Sequence, residues 1–357
     1  MKRKQILTIV GARPQFVKAA VVSRELALNS AVEEKILHTG QHYDFNMSDV
    51  FFGEMKIPKP AFQLAVKETL HGAMTAEMLK GIEKILLEDK PDLVIVYGDT
   101  NSTLAGALAA KKVQIPLAHI EAGLRSFNLE MPEEINRILT DRISDFLFCP
   151  TDTAMRNLEM EGFMHFPCVQ LKSGDVMKDA VDFYSVLAAE KSGIIREQKL
   201  ESFLLCTLHR EQNTNDKDRL LNIMDALNTL NEDCPVLMPL HPRTKKFLAE
   251  HKIHPKFKTI DPVSYFDMLE LLRHCRMVLT DSGGLQKEAF FFQKPCITLR
   301  EETEWIELVE HGFNILGGAD KQRILSAYRE MLKPKRNFDI DLYGDGHAAA
   351  RIVNSLL

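Results

Sequence analysis

The chain has 357 residues, 45% of them hydrophobic and 27% charged, with a net charge of −5. That length exceeds one ordinary core and points to two domains, and the evenly mixed charge gives no footing for nucleic acid. The opening stretch "MKRKQILTIVGARP" has an apolar run too short for a signal peptide or a membrane span, so a cytoplasmic protein without a membrane partner is expected.

In chain order, the apolar runs of the first half are "QILTIV", "EEKILHTG", "DLVIVYGD", "IPLAHIEAG" and "DFLFCPT"; those of the second are "FLLCTLHRE", "PVLMPLHP", "FKTID", "MVLTDSGG" and "PCITLR". They are continuous rather than alternating, as parallel strands covered on both faces are. Each is followed by a segment of helical period, which gives a doubly wound α/β architecture run through twice. The stretch from Phe166 to Ser202 reads as helical and charged, with no strong strand before Phe203. The boundary is therefore placed near Lys172, with a first domain over 1–171 and a second over 172–344. A C-terminal helix near 345–357 is expected to pack back on the first. Two open parallel sheets facing each other would make a cleft at the carboxyl ends of their strands, where such folds bind ligands. The six cysteines form no CxxC pair and read as buried, reduced thiols.

The strand ends carry the ionisable groups. "GARPQFVK" sets Arg13 and Lys18 at a strand-to-helix turn whose free N–H groups suit a phosphate. "YGDTNSTLAG" offers Asp99, although Asp, Asn, Ser and Thr also suit any helix start. In "HIEAGLRS", His119 and Glu121 are two apart and expected on one strand face. Partial burial would make Glu121 a useful proton-transfer group; an ion pair with Arg125 is the simpler account. "MPEEINR" opens a helix in which dipole and pairing alone explain Glu133, Glu134 and Arg137. "TLHREQN" puts His209 at a strand end, with Asn213 and Thr214 placed to cap the next helix, and "LHPR" puts His241 one strand later. "DSGGLQKEA" is the strongest local signal: Ser282, Gly283 and Gly284 admit a ligand to a helix N-terminus, and Glu288 stands ready for ribose hydroxyls. No metal-ligand spacing occurs, so neither a metal nor another cofactor is expected.

Taken together, "GARPQFVK", "TGQHYD", "YGDTNSTLAG", "HIEAGLRS", "MPEEINR", "TLHREQN", "DSGGLQKEA" and "LREETEW" resemble the non-hydrolysing UDP-N-acetylglucosamine 2-epimerases, across nearly the whole chain and in the family's order. The resemblance implies a glycosyltransferase-B fold, two Rossmann-like domains around a cleft, and a homodimer. It implies interconversion of UDP-N-acetylglucosamine and UDP-N-acetylmannosamine for surface polysaccharide precursors, by loss of UDP to a 2-acetamidoglucal and re-addition. By the same similarity Asp99, Glu121, Glu133 and His209 are the catalytic residues. Arg13, Lys18, His241, Ser282, Gly283, Gly284, Glu288, Arg300 and Glu304 match substrate-binding positions, and Gln41 and His42 match those that hold a second, activating UDP-sugar. Two departures stand out: "TEWIE" at Thr303–Glu307 where the family usually has "TERPE", and "GARPQF" for the commoner "GTRPE". They resemble the branch that epimerises UDP-2,3-diacetamido-2,3-dideoxyglucuronate, the alternative substrate. A glycosyltransferase or a nucleotide-sugar binding module on the same fold is a remoter reading, to be told apart by an acceptor requirement or by binding without turnover.

Overall fold

A computed structural model describes residues 3–41, 55, 57–333 and 336–357. The chain forms two compact units, one of residues 1–180 with 341–357 and one of residues 181–340. In the first, the strands are β1 (Lys4–Val10), β2 (Val32–His38), β3 (Phe62–Gln63), β4 (Leu93–Tyr97), β5 (Leu117–Ile120), β6 (Phe146–Cys149) and β7 (Val169–Lys172). Among the described residues they make one parallel sheet of order β3-β2-β1-β4-β5-β6-β7. The helices that follow them are α1 (Arg13–Ala27), α2 (His71–Asp89), α3 (Asn101–Lys112), α4 (Pro132–Ile143), α5 (Asp152–Met160) and α6 (Val176–Lys191). Leu7, Ile9, Val94, Val96 and Leu117 of the sheet pack against Met78, Ile82 and Leu86 of α2 and the alanines of α3. Every residue of β4 is buried, which is why its sequence "LVIVY" shows no alternation.

The second unit repeats the plan with β8 (Leu204–Thr207), β9 (Val236–Pro239), β10 (Lys258–Ile260), β11 (Met277–Thr280), β12 (Cys296–Thr298) and β13 (Asn314–Leu316), ordered β10-β9-β8-β11-β12-β13. Its helices are α7 (Ile194–Glu197), α8 (Glu211–Thr214), α9 (Lys217–Leu230), α10 (Pro242–Glu250), α11 (Tyr265–His274), α12 (Gly283–Phe291), α13 (Ile306–Glu310) and α14 (Lys321–Met331). Leu204, Cys206 and Leu279 face Leu220, Leu227 and Ile324 in one core, while Leu205 and Val278 face Leu271, Leu272 and Ala289 in another. Helices thus cover both faces of the sheet. In each unit the strand order reverses once, between β1 and β4 and between β8 and β11. The carboxyl ends beside those reversals are where an open α/β sheet offers a crevice.

Three strands fall outside the expected series: β3, β7 and β13. All lie at sheet edges. An edge strand is covered less, so its apolar run is short; β7 lies in the stretch expected to hold no strong strand, and its "VQLK" is exposed or half-buried throughout. Against the expected boundary near Lys172, the units divide between Ala180 and Val181, inside α6. The last helix, α15 (Ala348–Leu356), packs on α1, and its Ala348 and Ala349 N–H groups donate to the Asp179 carboxylate at 3.1 and 2.8 Å. All six cysteines are free, and all but Cys168 are buried. Burial pushes the Cys275 thiol up to about 12.

Candidate active site

In the first unit the side chains gather at the ends of β1, β4 and β5. Pro14 fixes the start of α1, where Arg13 is half-buried. The buried Lys18, on the same helix, forms an ion pair with Glu121, the two side chains being 10% and 8% exposed. Glu121 is not on the strand: β5 ends at Ile120, and Glu121 has a left-handed φ of 74°. The expected shared face with His119 is therefore not found. Such a φ is strained for a residue with a Cβ and is typical of functional positions. Its carboxylate lies against Gly98, where an added Cβ would come within 3.0 Å of Glu121 Oε2 and 3.4 Å of Lys18 Nζ.

His119 has a different role. It is wholly buried, with Nδ1 2.7 Å from Asp141 Oδ1 and Nε2 2.7 Å from the Gly98 carbonyl. Asp141 also accepts from the Gly123 N–H at 3.1 Å and from Arg125 at 2.7 Å. Arg125 completes its guanidinium on Glu161 at 2.6 and 2.7 Å, so the simple Glu121–Arg125 pair gives way to Lys18–Glu121 and Asp141–Arg125–Glu161. Burial would raise the Asp141 carboxyl, but His119 and Arg125 hold it below the ordinary carboxylate range.

Asp99 sits two residues before α3, next to its N-cap Thr100, and is paired with Arg137, which donates also to Glu134 at 2.7 Å. Glu134, buried, accepts the Ser126 and Phe127 N–H groups at 2.9 and 2.8 Å and so pins the loop leading into α4. The pairing expected within this helix is real for Glu134 and Arg137; Glu133 is half-buried in the same first turn. Gln41 Oε1 accepts from Ser102 N and Oγ at 3.0 and 2.7 Å, closing the start of α3. His42 lies outside the described residues. Gln15, the departure in "GARPQF", accepts from the Gly11 and Ala12 N–H groups and donates to the Tyr97 carbonyl and the Thr103 hydroxyl. A carboxylate could not make the two donations.

In the second unit the residues meet where β8 and β11 end. His209 and His241 rings are 5.5 Å apart, and His241 caps α10 by accepting the Arg243 N–H at 3.2 Å. Ser282 caps α12, accepting the Leu285 N–H at 3.5 Å. At Gly283 an added Cβ would stand 2.2 Å from Glu304 Oε1, whereas at Gly284 it would meet nothing within 4 Å. A side chain at Gly283 would thus have to displace the buried, Arg300-paired Glu304 carboxylate, whereas Gly284 leaves the helix N-terminus open to a ligand. Glu288 is buried one turn into α12. Arg300 and Glu304, both buried, pair with each other at 3.1 Å. The departing tryptophan, Trp305, is buried with the Lys287 ammonium 3.9 Å from its ring centre, a fully enclosed cation–π contact.

The residue whose role the sequence did not disclose is Asp281. It is wholly buried and accepts the His209 N–H at 3.0 Å and the Arg210 N–H at 2.9 Å, with His209 Nδ1 3.2 Å away. Asn213, expected as a helix cap, instead donates to Asp281 at 3.3 Å and to the Leu299 carbonyl at 2.8 Å; Asp216 caps α9. Burial favours a neutral Asp281, yet the His209 charge and the N–H donors hold its carboxyl below the usual range. An acid just past a strand and two residues before a double glycine was the available signal.

Each unit thus offers a set of strand-end groups: paired acids in the first, and in the second a histidine beside an open helix N-terminus. That defines a protein of two doubly wound α/β units, the glycosyltransferase-B type of fold. The family model for UDP-N-acetylglucosamine 2-epimerase matches residues 24–357. The chain is 51% identical, over 99% of both chains, to the UDP-2,3-diacetamido-2,3-dideoxy-D-glucuronate 2-epimerase of Pseudomonas aeruginosa. It is 42% identical to the UDP-N-acetylglucosamine 2-epimerase of Methanocaldococcus jannaschii, over 98% of this chain and 97% of that one. The crystal structure of the M. jannaschii enzyme in complex with UDP-GlcNAc and UDP superposes with a TM-score of 0.92, covering 99% of both chains at 42% identity. That of the Neisseria meningitidis UDP-GlcNAc 2-epimerase bound to UDP-GlcNAc gives 0.86 at 30% identity, again over 99% of both. The chain belongs to the UDP-N-acetylglucosamine 2-epimerase family and is an isomerase.

Proposed function

We propose that the protein inverts carbon 2 of a UDP-2-acetamido sugar without net hydrolysis. The proton on carbon 2 is not acidic, since its neighbour is an acetal carbon and not a carbonyl. Inversion therefore runs by elimination: a base takes that proton while the bond from carbon 1 to the diphosphate oxygen breaks, leaving a glucal and UDP. UDP then re-adds at carbon 1 as a proton is delivered to the other face of carbon 2. In this reading Glu121, Asp99 and Glu133 handle the protons, the first two being paired with Lys18 and Arg137. His209 and the N–H groups opening α12 stabilise the departing diphosphate, and His241, Ser282, Gly284 and Glu288 hold the nucleotide. Arg13, half-buried at the start of α1, adds a cation for the anionic substrate.

The observation that carries the reading is the Lys18–Glu121 pair on a strained backbone. It holds a carboxylate almost dry beside a cation, at the end of the strand where the acid is needed. The sugar proposed first is UDP-2,3-diacetamido-2,3-dideoxyglucuronate, supported by the 51% identity to an enzyme named for it. The second is UDP-N-acetylglucosamine, favoured by the likeness to a structure in complex with that sugar. Family resemblance supports a homodimer, to be tested by light scattering, and Gln41 as part of a site for a second UDP-sugar. No described helix is long and apolar enough to cross a membrane.

Proton NMR in heavy water, with both UDP-sugars in parallel and no acceptor, tests the proposal. Deuterium at carbon 2 with a gluco/manno mixture establishes the epimerase and names its sugar. Unlabelled, unchanged substrates in both tubes overturn it.

A further inference from the structure

We propose that Asp281 is a positioning residue for His209: it holds the imidazole with Nδ1–H turned to the carboxylate and leaves Nε2 for the diphosphate. The part concerning the diphosphate rests on the epimerase reading; the tautomer does not. Asp281 sits immediately after β11, across the strand reversal from the end of β8, and is wholly buried. Its Oδ1 is 3.2 Å from His209 Nδ1, while its Oδ2 takes the N–H groups of His209 and Arg210 at 3.0 and 2.9 Å. The same carboxylate thus fixes both the backbone and the ring of His209. Asn213 adds a donor at 3.3 Å, which keeps the carboxylate from rotating away.

With Nδ1 engaged, Nε2 is left at the far edge of a side chain that is 37% exposed. In the neutral ring this selects the Nδ1–H tautomer. In the protonated ring it presents Nε2–H, a charged donor for an oxygen that gains negative charge as the bond to carbon 1 breaks. A buried, ionised Asp281 stabilises that cation without having to accept its proton, which is the division of labour between an orienting acid and a catalytic histidine. Among the described residues, the titratable groups set against the His209 ring are Asp281 from the end of β11 at 3.2 Å and the His241 ring at the start of α10, 5.5 Å away centre to centre; Arg210 and Glu211 follow it in the chain, and Glu211 is paired with Arg243 of α10. The Cys206 thiol in β8 is pushed up by burial first and by Asp281 second, and stays a thiol.

The test is nitrogen-15 NMR of histidine-labelled protein, with the His209 signals assigned by their loss in His209→Asn. In the unmodified protein, neutral His209 should carry its proton on Nδ1; a proton on Nε2 would overturn the proposal without any variant. Asp281→Asn should shift His209 towards the Nε2–H form and lower kcat about 100-fold, while UDP affinity stays within about threefold. Unchanged kcat, or lost kcat with an unchanged tautomer, would overturn it. The double variant guards against misfolding as the cause: Asp281→Asn should cost no further kcat once His209 is Asn, and a full additive loss would refute action through His209. Should neither UDP-sugar turn over, the tautomer still decides the role of Asp281, and the epimerase reading fails separately.

Discussion

Glu121→Gln separates what the carboxylate does for the fold from what it does for the reaction. The Lys18–Glu121 pair is nearly closed to solvent, at 10% and 8% exposure. Removing one partner of a buried pair leaves the other charge uncompensated, at a cost of about 3–5 kcal/mol. The glutamine carbonyl still accepts one hydrogen bond, which sets the loss at the lower end, about 3 kcal/mol. Glu121→Gly loses the pair and that carbonyl but relieves the backbone at φ 74°, returning about 1–2 kcal/mol. The two variants should therefore be of similar stability, although glycine removes the whole side chain. The single tryptophan, Trp305, is in the second unit. Urea unfolding of the first unit is accordingly followed by far-UV circular dichroism. Lys18→Met and the double variant close a cycle whose coupling should be about 2–3 kcal/mol. Purely additive losses would refute the ion pair, and a glycine variant several kcal/mol weaker than the glutamine one would refute the strain. Turnover should be abolished in both folded variants; near-wild-type turnover would remove Glu121 from the proton chemistry.

Gly284→Ala should leave thermal stability nearly unchanged, since its Cβ meets nothing within 4 Å, yet weaken UDP binding at least about tenfold by calorimetry if phosphate approaches there. Gly283→Ala, whose Cβ would stand 2.2 Å from Glu304 Oε1, should cost about 1–3 kcal/mol even without ligand; equal tolerance of both would contradict this geometry. Asp141 and Asp281 have folded values below the ordinary range. Their stabilisation is present above about pH 4 and lost as pH falls through those depressed values, so the urea midpoint should drop on acidification, and a flat profile down to about pH 3 would exclude it. Trp305→Ala should cost about 3–5 kcal/mol, by cavity and by uncovering Lys287, and a loss under about 1 kcal/mol would show that the cation–π contact is dispensable.

Sequence alone determined the central strands and the set of side chains at their ends. Continuous runs such as "LVIVY" are continuous because helices bury both faces, and the glycine, proline and acids that follow mark the turn into each helix. Of the four edge strands, β10 was legible as "FKTID" and β3, β7 and β13 were not, because an edge imposes little on its sequence. Which end groups pair with which was decided by the tertiary structure. Lys18 and Glu121 are 103 residues apart, His209 and Asp281 are 72, and Asp99 and Arg137 are 38. Nothing local to either residue specifies such a partner, and only the strand order brings them together. The turn at Glu121 shows the same division. Sequence placed an acid at the end of β5, but its positive φ, and so the separation of Glu121 from His119, follows from how β5 meets β6, where the Glu121 and Ala122 N–H groups both donate to the Phe148 carbonyl at 3.1 and 3.0 Å.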